Sequence, residues 1–264
     1  LQKAIQRESM DEELRTGLWN AFSVHVWNRW RDCDMYGNYD RQSETIHGII
    51  KITWIKYFKM PVDTCPSFDP SNHDSSYNQL RNQFFTAEWW EVFDLVEFLI
   101  SHIQRDFAPK LTDLLNNVLE TENSAYRVVN GEITEITDEQ EIQSIETAFE
   151  SPSHGARKHF ENALKPLSDR KDPDYPNSIK ESISAVESAC RTVSGNPKAT
   201  LGDCLKAIQK DRPLHPAFKE ALNKLYGYTS DEGGIRHSLS DAPAAQLSYA
   251  DAKFMLVTCT AFVN

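Results

Sequence analysis

The chain has 264 residues, 40% apolar and 25% charged, enough to bury a core without disulfide staples and a poor match to disordered or collagen-like chains. Lys and Arg number 28 against 39 Asp and Glu, and the net charge of −11 argues against a non-specific nucleic-acid binder. No apolar run approaches the roughly 20 residues of a membrane helix.

In chain order, Leu14, Leu18, Trp19, Phe22, Val26 and Trp30 recur at helical spacing, with Asp11, Glu12 and Glu13 in the first turn. Residues 32–41 contain Gly37, Asn38 and Asp40 and read as a loop. A second helix fits Ile46, Ile49, Ile50, Trp54, Tyr57 and Phe58. Pro61, Pro66 and Pro70 then mark a long irregular connection. The strongest stripe of the front half runs from Ala87 to Gln104, and another follows Pro109 through Leu111, Leu115 and Leu119. Residues 126–136, centred on Asn130-Gly131, predict a hairpin with a type I′ turn, Val128 and Ile133 on one face, lying against helices. A helical pattern resumes over Glu139 to Phe149.

The back half predicts a helix over Ala156 to Leu167, then a loop holding Pro173 and Pro176. Asn177 or Ser178 is expected to cap the next helix, whose core face is Ile179, Ile183, Val186 and Cys190 and which ends near Gly195. Thr200 caps a shorter helix, and Pro216 to Leu225 forms another. The last helix follows Ser248 and is apolar on almost every side, which predicts a central place in a bundle. The fold class is therefore mainly α: an acidic helical domain with one small β-hairpin over 1–150, then a four- to five-helix bundle over 151–264. The front domain carries net −13 and the bundle net +2, so a polyanion is repelled by one and tolerated by the other.

The start of the chain, with Lys3, Arg7 and Glu8, has no apolar segment of a secretion signal. It does not begin with Met, and its last residues fall inside a helical pattern, so a chain trimmed at both ends is expected. Cys33, Cys65, Cys190, Cys204 and Cys259 are widely spaced, with no CxxC pair and no zinc-like grouping. Reduced, mostly buried thiols in a cytoplasm, with no metal and no cofactor, are the expectation. P-loop, Rossmann, HExxH, EF-hand and GxSxG motifs are all missing from the sequence. His25, His102, His154 and His159 read as structural.

One stretch stands apart. Asp231, Glu232, Arg236 and His237 flank the pair Gly233-Gly234 within seven residues. A histidine moves a proton near neutral pH and an arginine stabilises a phosphorane, which suffices for metal-independent attack of an RNA 2′-hydroxyl on its phosphodiester. The alternative is structural: Asp231 and Glu232 pair with Arg236 while His237 caps or packs. Adjacent helical residues diverge by about 100°, which separates the two side chains unless the helix start is irregular. Glu187 and Arg191, four apart, are expected to form a modest surface pair.

The runs Pro173-Asp174-Tyr175-Pro176-Asn177-Ser178-Ile179-Lys180-Glu181, Leu225-Tyr226-Gly227-Tyr228 and Gly233-Gly234-Ile235-Arg236-His237 resemble the C-terminal helical domain of bacterial abortive-infection proteins of the AbiJ type, a domain placed in the HEPN superfamily. The front part, through Glu8-Ser9-Met10-Asp11-Glu12-Glu13-Leu14-Arg15 and Gly17-Leu18-Trp19-Asn20, resembles one of the N-terminal domains fused to it. The resemblance implies a bundle that homodimerises with its site where two copies meet, and metal-independent endoribonuclease activity in phage defence. Its usual signature is an Arg four to six residues before a His. Here His237 follows Arg236 directly, and no His lies between Ser238 and Ala244. Either His237 serves from the adjacent position, or a dimer mate completes the site, or cleavage is lost and binding kept. By the same resemblance Glu187 matches an acidic residue that orients the Arg or His.

Three functions stay open at this point. The first is a ribonuclease effector whose acidic front domain senses or restrains it. The second is a catalytically silent binding or dimerisation module that recognises a phage or host protein. The third, nucleotide binding at the Gly233-Gly234 turn, has only the two glycines behind it.

Overall fold

Asp11 accepts a hydrogen bond from the Leu14 amide at 2.9 Å and so caps α1 (Glu12–His25), whose buried stripe is Leu14, Leu18, Trp19 and Phe22. In all, the computed structural model describes residues 3–30, 38, 40–103, 108–211, 213, 215–227 and 247–264. The chain divides into two compact units, Leu1–Glu135 and Ile136–Asn264.

In the first unit α1 packs on α5 (Ala108–Thr121), and α4 (Trp89–His102) completes their core through Val92, Val96 and Leu99. The segment before α1 is strapped down by Lys3, whose Nζ lies 2.6 Å from Asp11 and 2.5 Å from Glu122. Strands β1 (Arg127–Val129) and β2 (Glu132–Thr134) pair antiparallel with Val128 opposite Ile133. Asn130 and Gly131 have φ of +48° and +88°, the backbone of a type I′ turn, as the Asn-Gly pair predicts. The hairpin lies against helices: Asn116 on α5 brackets Val128 with hydrogen bonds of 2.7 and 2.9 Å, and Glu97 on α4 accepts from the Ile133 amide at 2.5 Å.

Two features of this unit depart from the pattern read in the sequence. The second helix, α2 (Arg41–Ile52), runs into a π-helical turn over Thr53–Tyr57 rather than continuing as one α-helix to Phe58. An additional helix, α3 (Ser76–Thr86), follows the proline-rich connection; its apolar signal is little more than Leu80 and Phe84, and Phe84 is buried against the Trp19 ring at 5.2 Å.

The second unit is a helical bundle: α6 (Glu139–Phe149), α7 (His154–Ser168), α8 (Tyr175–Ser194), α9 (Leu201–Asp211), α10 (Pro216–Gly227) and α11 (Tyr249–Val263). α7 and α8 form a close hairpin, α11 packs on α8, α6 and α7, and α9 lies between α8 and α10. The cap of α8 differs from expectation. Asp174, not Asn177 or Ser178, accepts the Asn177 amide at 3.0 Å, and Pro176 falls inside the first turn, where its missing N–H costs nothing. α8 ends as expected at Gly195, in left-handed backbone with φ of +64°. Thr200 and Asp203 cap α9 reciprocally, each side chain bonding the other's amide. α11 buries Ala252, Met255, Leu256 and Cys259, while Phe254 stays 60% exposed, so this helix is central with one open flank. Among the described residues no helix is long and apolar enough to cross a membrane.

Candidate functional site

The α7–α8 hairpin positions Glu187, the one candidate residue among those described. Ser153 caps α7, accepting from the Ala156 amide at 3.3 Å, and receives a hydrogen bond from Thr192 of α8 at 3.0 Å. One turn on, Gly155 faces Ser188 so closely that any side chain would collide with the Ser188 hydroxyl. These contacts set the register of the two helices.

Glu187 lies in the middle of α8 with its side chain 14% exposed, and Arg191 donates to its Oε2 at 3.3 Å, the expected pair one turn apart. Cys190 beside it is buried, and burial followed by the neighbouring Cys204 thiol pushes its own thiol far above the ordinary range. Cys259 on α11 is likewise pushed up to about 12 by burial. Cys65 in the first unit is half-buried, and all four of these thiols are free; Cys33 lies outside the described residues. Arg236, His237, Asp231 and Glu232 also lie outside them, in the stretch 228–246 that joins α10 to α11. Glu187 is thus the one candidate whose surroundings are described, and Arg191 is among its partners.

His159, whose sequence context reads as structural, meets Glu181 of α8 in a second constellation. His159 Nδ1 lies 2.7 Å from Glu181 Oε2, and Asn162, one turn further along α7, donates to the same oxygen at 3.5 Å. Lys180 Nζ is 3.9 Å from the other carboxylate oxygen. Periodicity along one helix cannot reveal this pair, because its members are 22 residues apart. The available signal was the hairpin register: two antiparallel helices joined by a short loop bring residues at matching distances from the loop together.

Between α8, α9, α10 and α11 lies a small apolar hollow of about 30 Å³, lined by Ile183, Val186, Leu201, Leu222, Thr258 and Cys259 and open on one side. Its lining is apolar apart from Thr258. Among the described residues no group of three His, Cys, Asp or Glu side chains comes together to hold a metal ion.

A family model for AbiJ N-terminal domain 4 matches residues 1–151, more than half of the chain. The chain belongs to this abortive-infection family. The AbiJ match takes in the whole first unit and continues through α6, a helix that packs within the second unit against α11 and α7. No curated protein and no solved structure matches this AbiJ-family chain.

Proposed function

We propose that this AbiJ-family chain is a phage-defence effector whose bundle, residues 151–264, is of the HEPN type and cuts RNA without a metal ion. The observation that carries the reading is the pairing of an abortive-infection front domain with a separately packed helical bundle, in which Arg236 and His237 fall on the stretch between α10 and α11. In this reading the RNA 2′-oxygen attacks the adjacent phosphorus, and the bond to the 5′-oxygen breaks. Arg236 holds the charge of the phosphorane, His237 carries a proton, and Asp231, Glu232 and Glu187 orient these two. The products are a 2′,3′-cyclic phosphate and a free 5′-hydroxyl.

The bundle is the less acidic part of the chain, with 15 basic against 13 acidic residues over 151–264, so it is the part an RNA approaches. Phe254 on α11 and Val193 on α8 are exposed at 60% and 68% and supply apolar surface for pairing two copies of the chain. The effector works as a cytoplasmic homodimer joined through the bundle, and the acidic front domain restrains it until a phage or host trigger arrives. The test is cleavage of an RNA pool in EDTA by the full chain and by His237→Ala. Wild-type cleavage that the substitution abolishes supports the reading, and equal inertness of both leaves a silent binding module.

A further inference from the structure

The front domain carries net −13 over residues 1–150, yet one surface of it is basic. Residues 45–62 hold three lysines, Lys51, Lys56 and Lys59, and no carboxylate. All three are exposed, and among the described residues none of them forms an ion pair. Beside them stand Ile55, Met60 and Val62, exposed at 44%, 43% and 53%. Of the eight large apolar side chains exposed among the described residues, three thus fall within eight positions. Apolar residues scattered singly over a surface are ordinary, whereas a cluster rimmed by charge marks a contact.

The backbone gathers these side chains on one end of the π-helical turn Thr53–Tyr57. That turn points its rings inward: Trp54 is buried, and the Tyr57 hydroxyl donates to the Glu91 carbonyl of α4 at 3.0 Å. The Met60 amide donates to the Trp54 carbonyl at 3.0 Å, and the Trp54 ring nitrogen donates to the Thr64 hydroxyl at 3.1 Å. The chain after Lys59 is thereby folded back beside Trp54, which keeps Met60 and Val62 on the same side as Ile55. Lys59 itself has a φ of +56°, left-handed backbone that glycine adopts freely and a lysine adopts at a cost. A π turn and a strained residue of this kind both recur at functional sites.

We propose that this face binds an acidic peptide segment of another protein, with carboxylates on Lys51, Lys56 and Lys59 and apolar side chains on Ile55, Met60 and Val62. Charge selects that occupant. RNA is repelled by the net charge of the domain and needs exposed rings for its bases to stack on, whereas Trp54 is buried and Tyr57 and Phe58 are half-buried. A flat anionic membrane brings its negative surface within a Debye length, about 8 Å, of carboxylates well beyond the patch. A peptide segment meets the lysines alone. The proposal concerns binding, and it holds whether or not the bundle cuts RNA.

The test uses the full chain labelled with methyl-¹³C methionine. Met10, Met35, Met60 and Met255 are its four methionines, and the Met60 signal is the one lost in Met60→Leu. The probe is a synthetic amphipathic helix of about 18 residues, with Glu on one face and Leu on the other. The same helix with Lys in place of Glu, vesicles of phosphatidylcholine and phosphatidylserine, and a single-stranded RNA are titrated beside it. The Glu helix is expected to shift the Met60 signal saturably below about 1 mM, while the Met10 and Met255 signals stay in place. Lys56→Glu and Lys59→Glu together weaken binding by about 10-fold or more, and Ile55→Ser weakens it as well, both at the wild-type melting temperature. A Met60 signal unmoved by the Glu helix, or moved equally by the Lys helix, overturns the proposal. So does a Met60 shift caused by vesicles or RNA in place of the peptide, or one that follows protein concentration alone, which assigns the face to a second copy of the chain.

Discussion

Gly155 on α7 and Ser188 on α8 are in such close register that a Cβ at residue 155 would stand 2.2 Å from the Ser188 hydroxyl oxygen. Helices that touch this closely need a residue without a side chain at the crossing. Gly155→Ala is therefore expected to destabilise the protein by about 1–2 kcal/mol, read as a lower denaturation midpoint. The atom in the way is a hydroxyl, with the Ser188 Cβ at 3.4 Å. Ser188→Ala in the same chain should restore most of the loss, and a double-mutant cycle without coupling between the two changes would contradict this packing.

Asp251 closes the capping box of α11: the Ser248 hydroxyl and amide donate to its carboxylate at 2.6 and 2.8 Å. These bonds, the hydroxyl first, hold its carboxyl below the ordinary value of 3.8. A lowered folded value contributes stability that is fully present above the unfolded value and lost as pH falls through the folded one. Asp251→Asn should be less stable than wild type at neutral pH, with the gap closing below about pH 4. Thermal melts across pH 2–8 check this; a gap that widens in acid reverses the sign.

The thiols give a third outcome. Cys190, Cys204 and Cys259 are buried, and burial pushes the Cys190 and Cys259 thiols up; burial raises the Cys65 thiol as well, but that side chain is only half-buried and within reach of solvent. The thiolate is the reactive form, so these three should resist N-ethylmaleimide in native protein at pH 8 and react once it is unfolded, with Cys65 reacting ahead of them. Peptide mass mapping distinguishes the sites. Native labelling of Cys190 as fast as that of Cys65 would show that the α8–α9 contact opens readily.

Much of the fold was legible because its strongest signals are local. The Asn130-Gly131 pair specified a turn that two positive φ values require, and Gly195 marked the end of α8. The stripe Ile179, Ile183, Val186 and Cys190 marked the buried face of α8. α3 is hard to see in the sequence because a mostly polar helix is anchored by Tyr77, Phe84 and Phe85, which meet the Trp19 ring only once the chain has folded. Asp174 was passed over as a cap because Pro176 reads as a breaker, although in a first turn proline breaks nothing. The π-helical turn at Thr53–Tyr57 leaves no mark in a periodicity that α- and π-helices nearly share over five residues.

The candidate sites divide along the same line. Arg236 and His237 stand out by composition alone, two ionisable residues just past two glycines. Glu187 and Arg191 were expected as a one-turn pair and lie 3.3 Å apart. His159 and Glu181 meet only because α7 and α8 fold back on each other, so neither helix signals the pair by itself.

The measurement that bears most directly on function is cleavage of total RNA by the full chain in EDTA, with the new ends analysed chemically. The account predicts 2′,3′-cyclic phosphate ends from wild type and a loss of about 100-fold or more in His237→Ala, at unchanged melting temperature. Wild-type protein that leaves RNA intact, or a His237→Ala variant that cuts it at the wild-type rate, would contradict it.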